Sequence, residues 1–404
     1  MSRSEKPADE KEVRERVGPS EAVAFLFVSS KGGYGFLVKR GGTLVYRIPL
    51  DEAEIAASVT KLRESTVERP GGLPNFDLAT AHKLYAGLFG PAEKDLEGVS
   101  MLSVVATGDL MRFPLEALVT QLGITAANGD YRAVPWLLRK AALAYFPSPR
   151  IFVNLRQKGG GTTGALPFIG FGDFHPASAG QLAATFPPDR CRDDFQGLRG
   201  LERLPDTKVE VTAIGARLGA GPRDMILGEA FTKSRVMSPD VGRSRIVLLA
   251  THALLPTDLK CQPGPSIVVS VPANSPNAEA GFLRPGDIEK LKLDAELIVL
   301  SACSTAGPNA KTGESLSGLA RAFFRAGAHG VLVTHWSIAS GAAVPLMVNT
   351  FGAASDTAQA LRQAQLLMID TAGSGNNPIE LSYPNFWAAF TLIGDGIWSR
   401  GPAA

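Results

Sequence analysis

Three reactive side chains stand where apolar runs stop. Cys303 ends the run in residues 297–305 (LIVLSACST), His252 follows RIVLLAT, and Asp173 follows LPFIGFG. A thiolate attacks carbonyl carbon readily, a neutral imidazole can take the thiol proton, and backbone N–H groups can hold the oxyanion that forms. His252 and Cys303 meet the first two needs. Asp173 has two readings: a carboxylate lining a pocket that selects a basic side chain, or a loop aspartate starting an Asx turn before Phe174, His175 and Pro176. A strand-end cysteine taken alone is more often a buried structural residue. The surrounding text must therefore decide between a nucleophile and a core thiol.

The elements that position these residues read as buried strands. Residues 297–300 and 246–250 are apolar throughout, which requires cover on both faces of the sheet, as in the parallel sheet of an α/β fold. Ligands in such sheets bind beyond the carboxyl ends of the strands, so cysteine, histidine and carboxylate are expected at one edge. Around them strands are predicted at 169–172, 246–250, 266–271, 297–301 and 330–334, with helices at 207–218, 231–237, 314–327, 344–352 and 357–370. Such alternation implies βαβ units with right-handed crossovers. Upstream, three β runs from Ala22 are separated by glycine turns and read as a meander. Helices follow at 51–66 and 77–89, then a strand at 101–107 and a short helix begun by Pro114. The glycine-rich stretch 156–165 (RQKGGGTTGA) reads as a subdomain boundary or a mobile loop. The expected organisation is a charged segment at 1–20, a mixed α+β subdomain at 21–155 and a catalytic α/β domain at 166–404.

Composition narrows the function classes. Hydrophobic residues at 45% and charged residues at 20% exclude wholesale disorder. A formal charge of +2 carries no nucleic-acid or membrane signature. The N-terminal MSRSEKPADEKEVRERVG is charged where a secretory signal would be apolar, and no apolar run is long enough to span a bilayer; the expectation is a cytoplasmic protein. Cys191, Cys261 and Cys303 are an odd number without zinc-like spacing. They suggest reduced thiols, with neither a disulfide framework nor a metal.

His252 and Cys303 lie about 50 residues apart, as the corresponding pair does in caspases. The text around them, LLATHALLP, LKLDAELIVLSACSTAG, GESLSGLARAFFRAGAHGVLVTHWSI, ALRQAQLLMID and FWAAFTLIGDG, resembles the CHAT domain, a branch of the caspase-like clan CD cysteine peptidases that also includes separase. The resemblance implies a caspase-like α/β sandwich and peptide-bond hydrolysis of a protein substrate. It puts the catalytic histidine at His252 and the nucleophile at Cys303, with an oxyanion hole from the N–H groups of Ala253 and Cys303 and no cofactor. CHAT domains commonly sit behind tetratricopeptide repeats or other sensor modules, so a regulatory or tetratricopeptide-type partner is expected. Two positions depart from the family pattern: Ala253 stands where glycine is usual, and His335 precedes Trp336 where serine-leucine is commoner. Alanine resists a left-handed backbone. A need for one at Ala253 would favour the alternative reading, a weak or inactive CHAT module serving as an interaction or signalling domain.

Overall fold

The computed structural model describes residues 6–69, 72–124, 126–157, 166–254, 259–261, 264–304, 312–336, 338–353 and 356–396, with backbone only at 127, 302–304 and 312–317. Most of the glycine-rich stretch (158–165) and most of the loop after Cys303 (305–311) lie outside the described residues. The chain divides into two compact units, Met1–Gly161 with Gly352–Ala404, and Thr162–Phe351.

In the first unit, β1 (Glu21–Ser29), β2 (Gly32–Lys39) and β3 (Gly42–Ile48) form the expected antiparallel meander. Gly32, at φ 90°, turns β1 into β2 where a side chain would strain the backbone. The helices Glu52–Ser65 and Leu78–Leu88 start where Asp51 and Asp77 accept the N–H groups of Glu54 and Thr80 at 2.8 and 2.9 Å. Pro114 caps a single turn, Leu115–Ala117. β4 (Met101–Ala106) runs parallel to β1, and β5 (Ala142–Tyr145) runs parallel to β4.

The second unit holds β6 (Leu166–Gly172), β7 (Met225–Leu227), β8 (Ser244–Leu254), β9 (Ser266–Val268), β10 (Phe282–Leu283), β11 (Leu297–Ser304) and β12 (Gly330–Thr334). β7, β6, β8, β11 and β12 are parallel neighbours in that order. β11 occupies one edge of β8 along its length, so β6 and the antiparallel β9 share the other. Burial explains the arrangement: every residue of β8 from 246 to 254 is buried, and Leu248, Ile298 and Val299 are fully enclosed. Each such aliphatic side chain contributes about 1.5–3 kcal/mol. The chain then returns to the first unit, where β13 (Phe390–Gly394) pairs in parallel with β5.

β9 stops at Val268, short of the predicted 271. Val269 and Ser270 instead donate their N–H groups to the carbonyls of Gly281 and Phe231. The cysteine expectation needs a larger correction, because Cys191 and Cys261 form a disulfide across 70 residues. Asp194, in the first turn of the helix Arg192–Arg199, accepts the N–H groups of Lys260 and Cys261 at 2.9 and 2.7 Å. These bonds hold the two cysteines with Cα atoms 5.9 Å apart, within disulfide reach. Reduced thiols therefore do not argue for a compartment. Among the described residues, no helix is long and apolar enough to cross a membrane.

Candidate active site

The register of β8 and β11 sets the geometry of the site. Leu297 lies opposite Ile246, and the pairing continues residue by residue to Cys303 opposite His252 and Ser304 opposite Ala253. Neighbouring parallel strands are about 4.8 Å apart, so the two backbones that carry histidine and cysteine are adjacent.

His252 is buried, and its Nε2 lies 2.9 Å from the carbonyl oxygen of Glu202. A carbonyl can only accept, so Nε2 carries a proton, and in the neutral ring the lone pair sits on Nδ1. Nδ1 is enclosed and has no hydrogen-bond partner among the described residues. The ring stands edge-on to Phe174, centroids 5.2 Å apart and planes at 90°. Before it, the Thr251 hydroxyl donates to the Val268 carbonyl at 2.8 Å, tying β8 to β9 at the height of the site. Ala253 continues β8. Among the described residues, the only non-glycine residues at positive φ are Asn128 and Asp173, so alanine at position 253 sits in extended backbone without conformational penalty.

Asp173 follows the end of β6 in a left-handed conformation, φ 55°, which aspartate tolerates better than most residues. Its N–H donates to Thr207 Oγ1 at 2.6 Å, and its carboxylate takes both Nε and Nη2 of Arg203, at 2.6 and 2.7 Å. This bidentate bond holds the Asp173 carboxyl below the usual aspartate range. It also fixes the 200–205 loop, and with it the Glu202 carbonyl that orients His252. Asp173 thus reaches the site through Arg203.

Beside the strand ends lies a cavity of about 470 Å³, lined among others by Glu202, Arg203, Glu210, Thr251, Ser301 and Trp336. Glu210 belongs to the helix Asp206–Arg217, which packs on β6. The helix sits close because β6 has glycine where it passes: a Cβ on Gly170 would lie 2.7 Å from Val211 Cγ1. Glu210 is buried, Ser301 hydrogen-bonds its carboxyl, and its Oε1 has no partner among the described residues. Burial pushes this carboxyl up to about 7. The sequence reading singled out neither Glu202, Arg203, Glu210 nor Ser301. Glu210 left one signal, since it precedes the buried Ile214 by four residues and so shares its helix face. His335 is buried at the end of β12, its ring 6.0 Å from that of Trp336. Among the described residues there is no group of three histidine, cysteine or acidic side chains able to hold a metal.

The chain is similar to tetratricopeptide repeat protein 28 of mouse, 26% identical over 236 residues, and of human, 24% identical over 237 residues. Each match covers 50% of this chain and 9% of the relative, so the chain spans less than a tenth of these proteins. Its fold is similar to that of a chain of the Saccharomyces cerevisiae separase–securin complex, with a TM-score of 0.51 at 11% identity over 95% of this chain and 31% of that one. This is the mixed α/β architecture expected from the strand pattern and the caspase-like type that the resemblance implied. The CHAT domain family matches residues 78–395, most of the chain and both strands of the site, and the chain belongs to that family.

Proposed function

We propose that the protein is a cysteine endopeptidase acting through His252 and Cys303. The observation that supports this most is the histidine: Nε2–H is committed to the Glu202 carbonyl, which leaves Nδ1 without a partner among the described residues, on the residue in register with Cys303. In this reading Nδ1 takes the thiol proton, sulfur attacks the scissile carbonyl, and the N–H groups of Cys303 and Ala253 stabilise the oxyanion. The imidazolium then protonates the leaving amine, and water hydrolyses the thioester. Asp173 contributes by anchoring Arg203 beside the substrate cavity. The name of the mammalian relatives, tetratricopeptide repeat protein, supports a repeat-type sensor partner as the activator of the chain.

The test is labelling by a peptidyl electrophile followed by cleavage of unfolded proteins. Cys303→Ala should abolish both without lowering the melting temperature, and His252→Ala should lose nearly as much activity, since base and nucleophile act as one unit. Cleavage retained by purified Cys303→Ala protein would exclude this mechanism. Absence of labelling in the wild-type protein, with and without a repeat partner, would leave the CHAT module as an interaction domain.

A further inference from the structure

We propose that the Cys191–Cys261 disulfide is a site of thiol–disulfide exchange, and that opening it releases His252 from the Glu202 carbonyl. The consequence for cleavage rests on the peptidase reading; the exchange and the release of the histidine do not.

The disulfide and the histidine belong to one closed ring. Cys191 is the N-cap residue of the helix Arg192–Arg199, which Gly200 ends just before Glu202. Cys261 stands in the connection from β8, the strand of His252, to β9. The sulfur–sulfur bond closes the ring at one point, and the hydrogen bond from His252 Nε2 to the Glu202 carbonyl, at 2.9 Å, closes it at the other. The same helix meets the histidine a second way. Leu198 and Leu201 line a small apolar cavity together with Phe174, whose ring stands edge-on to His252.

Little else closes the ring at the cysteine end. Asp194 accepts the N–H groups of Lys260 and Cys261, and Lys260 pairs with Asp193 on the surface, where an ion pair contributes little. Along the main chain Glu202 and His252 are 50 residues apart; the disulfide makes the path between them much shorter, which lowers the entropy cost of holding carbonyl against imidazole. With the disulfide open, the segment from Cys191 to Glu202 can part from β8 as a local opening. The imidazole then loses the acceptor that keeps its proton on Nε2, and both neutral tautomers become accessible.

The bond is placed for reaction with a dithiol. Cys261 is exposed and Cys191 half-buried, so the incoming thiolate attacks the Cys261 sulfur, and Cys191 leaves as a thiolate and takes a proton. The second thiol of the reductant then displaces Cys261, which is protonated in turn. Two electrons and two protons pass to the protein, and the dithiol departs as a cyclic disulfide. Exposed disulfides exchange in this way, whereas enclosed structural ones resist reduction.

The experiment uses full-length Cys303→Ala protein, in which the pair supplies the only sulfur able to form thiols, with isotope-labelled histidine and a His252→Gln spectrum to assign the signal. Dithiothreitol should open the disulfide in the folded protein, so that iodoacetamide labels both cysteines without denaturant. At pH 8 the ring nitrogens of His252 should show one tautomer, protonated at Nε2, in the oxidised protein and both tautomers after reduction. The amides of residues 200–203 should exchange about tenfold faster once the bond is open. Reoxidation should restore the first spectrum, and Cys191→Ser with Cys261→Ser, shown to be folded by its melting curve, should match the reduced protein. A disulfide that opens only in denaturant, or a His252 spectrum identical in the two states below their melting temperatures, would overturn the proposal. In protein that keeps Cys303, the double serine variant should react with the peptidyl electrophile about tenfold more slowly than the oxidised protein. Equal labelling of the two would overturn control by the disulfide and leave the peptidase reading standing. A redox-dependent His252 spectrum in a protein that the electrophile never labels would sink the peptidase reading and keep the exchange site.

Discussion

At the scale of single residues, two buried acids make the protein pH-sensitive. Glu210 and Glu116 are both pushed up to about 7 by burial, although Ser301 bonds the first and the Tyr145 hydroxyl donates to the second at 2.7 Å. Both acids ionise in the unfolded chain at the ordinary glutamate value of about 4.5. As pH rises from about 4.5 to about 7 the unfolded state therefore binds fewer protons than the native state, and stability falls; above about 7 both states are ionised and the loss is complete. Each acid accounts for up to about 3 kcal/mol of that loss. Glu210→Gln and Glu116→Gln should thus gain stability relative to wild type at pH 8 and little at pH 5. Urea denaturation at the two pH values checks this, and a difference that does not change with pH would show that neither acid is protonated in the native protein.

At the scale of elements, the close seat of the helix Asp206–Arg217 on β6 is the feature on which the cavity depends. Gly170→Ala should destabilise the protein by about 1–3 kcal/mol, because its Cβ would collide with Val211 and with the Phe168 ring, 2.6 Å away. Combined with Val211→Ala the two losses should not add, the second substitution making room for the first. Additive losses in a denaturation series would show that the helix is seated by other contacts. The disulfide gives a second element-scale test. Replacing Cys191 and Cys261 together by serine should cost about 2–4 kcal/mol, and reducing agent should lower the wild-type melting temperature but leave that of the variant unchanged. The same elements show what the sequence discloses. β8 and β11 are legible because unbroken apolar runs leave few alternatives, and so are His252 and Cys303, each at the end of its run. β5, the alanine-rich ALAY, lacks β-branched residues, and β13 follows Trp387, Ala388 and Ala389, which favour a helix as readily. The cavity draws its lining from residues 202–343, and the disulfide spans 70 residues. Neither leaves a local period to read.

At the scale of the whole molecule, the two units differ in how the chain builds them. Thr162–Phe351 is one continuous stretch and contains His252, Cys303 and Glu210, whereas the other unit needs both chain ends. Its C-terminal part contributes β13 to pair with β5, and Trp387, fully buried with its ring 5.3 Å from that of Trp136. Arg362 donates to the Leu138 carbonyl at 2.7 Å, and Asn385 to the Thr66 carbonyl at 2.6 Å. Removing residues 352–404 would strip these partners at once, exposing β5 as an unpaired edge and opening the space that Trp387 fills; one buried tryptophan alone is worth about 3–5 kcal/mol. That loss alone is comparable with the whole stability of many domains. The expected outcome is a truncated chain in which the amides of β1, β4 and β5 exchange freely while those of β6, β8 and β11 keep their protection, since the pairings of β8 with β6 and β11 lie within residues 162–351. Hydrogen exchange read by mass spectrometry distinguishes the cases. Equal loss of protection in β8 and β4 would mean that the candidate active site cannot fold without the C-terminal segment.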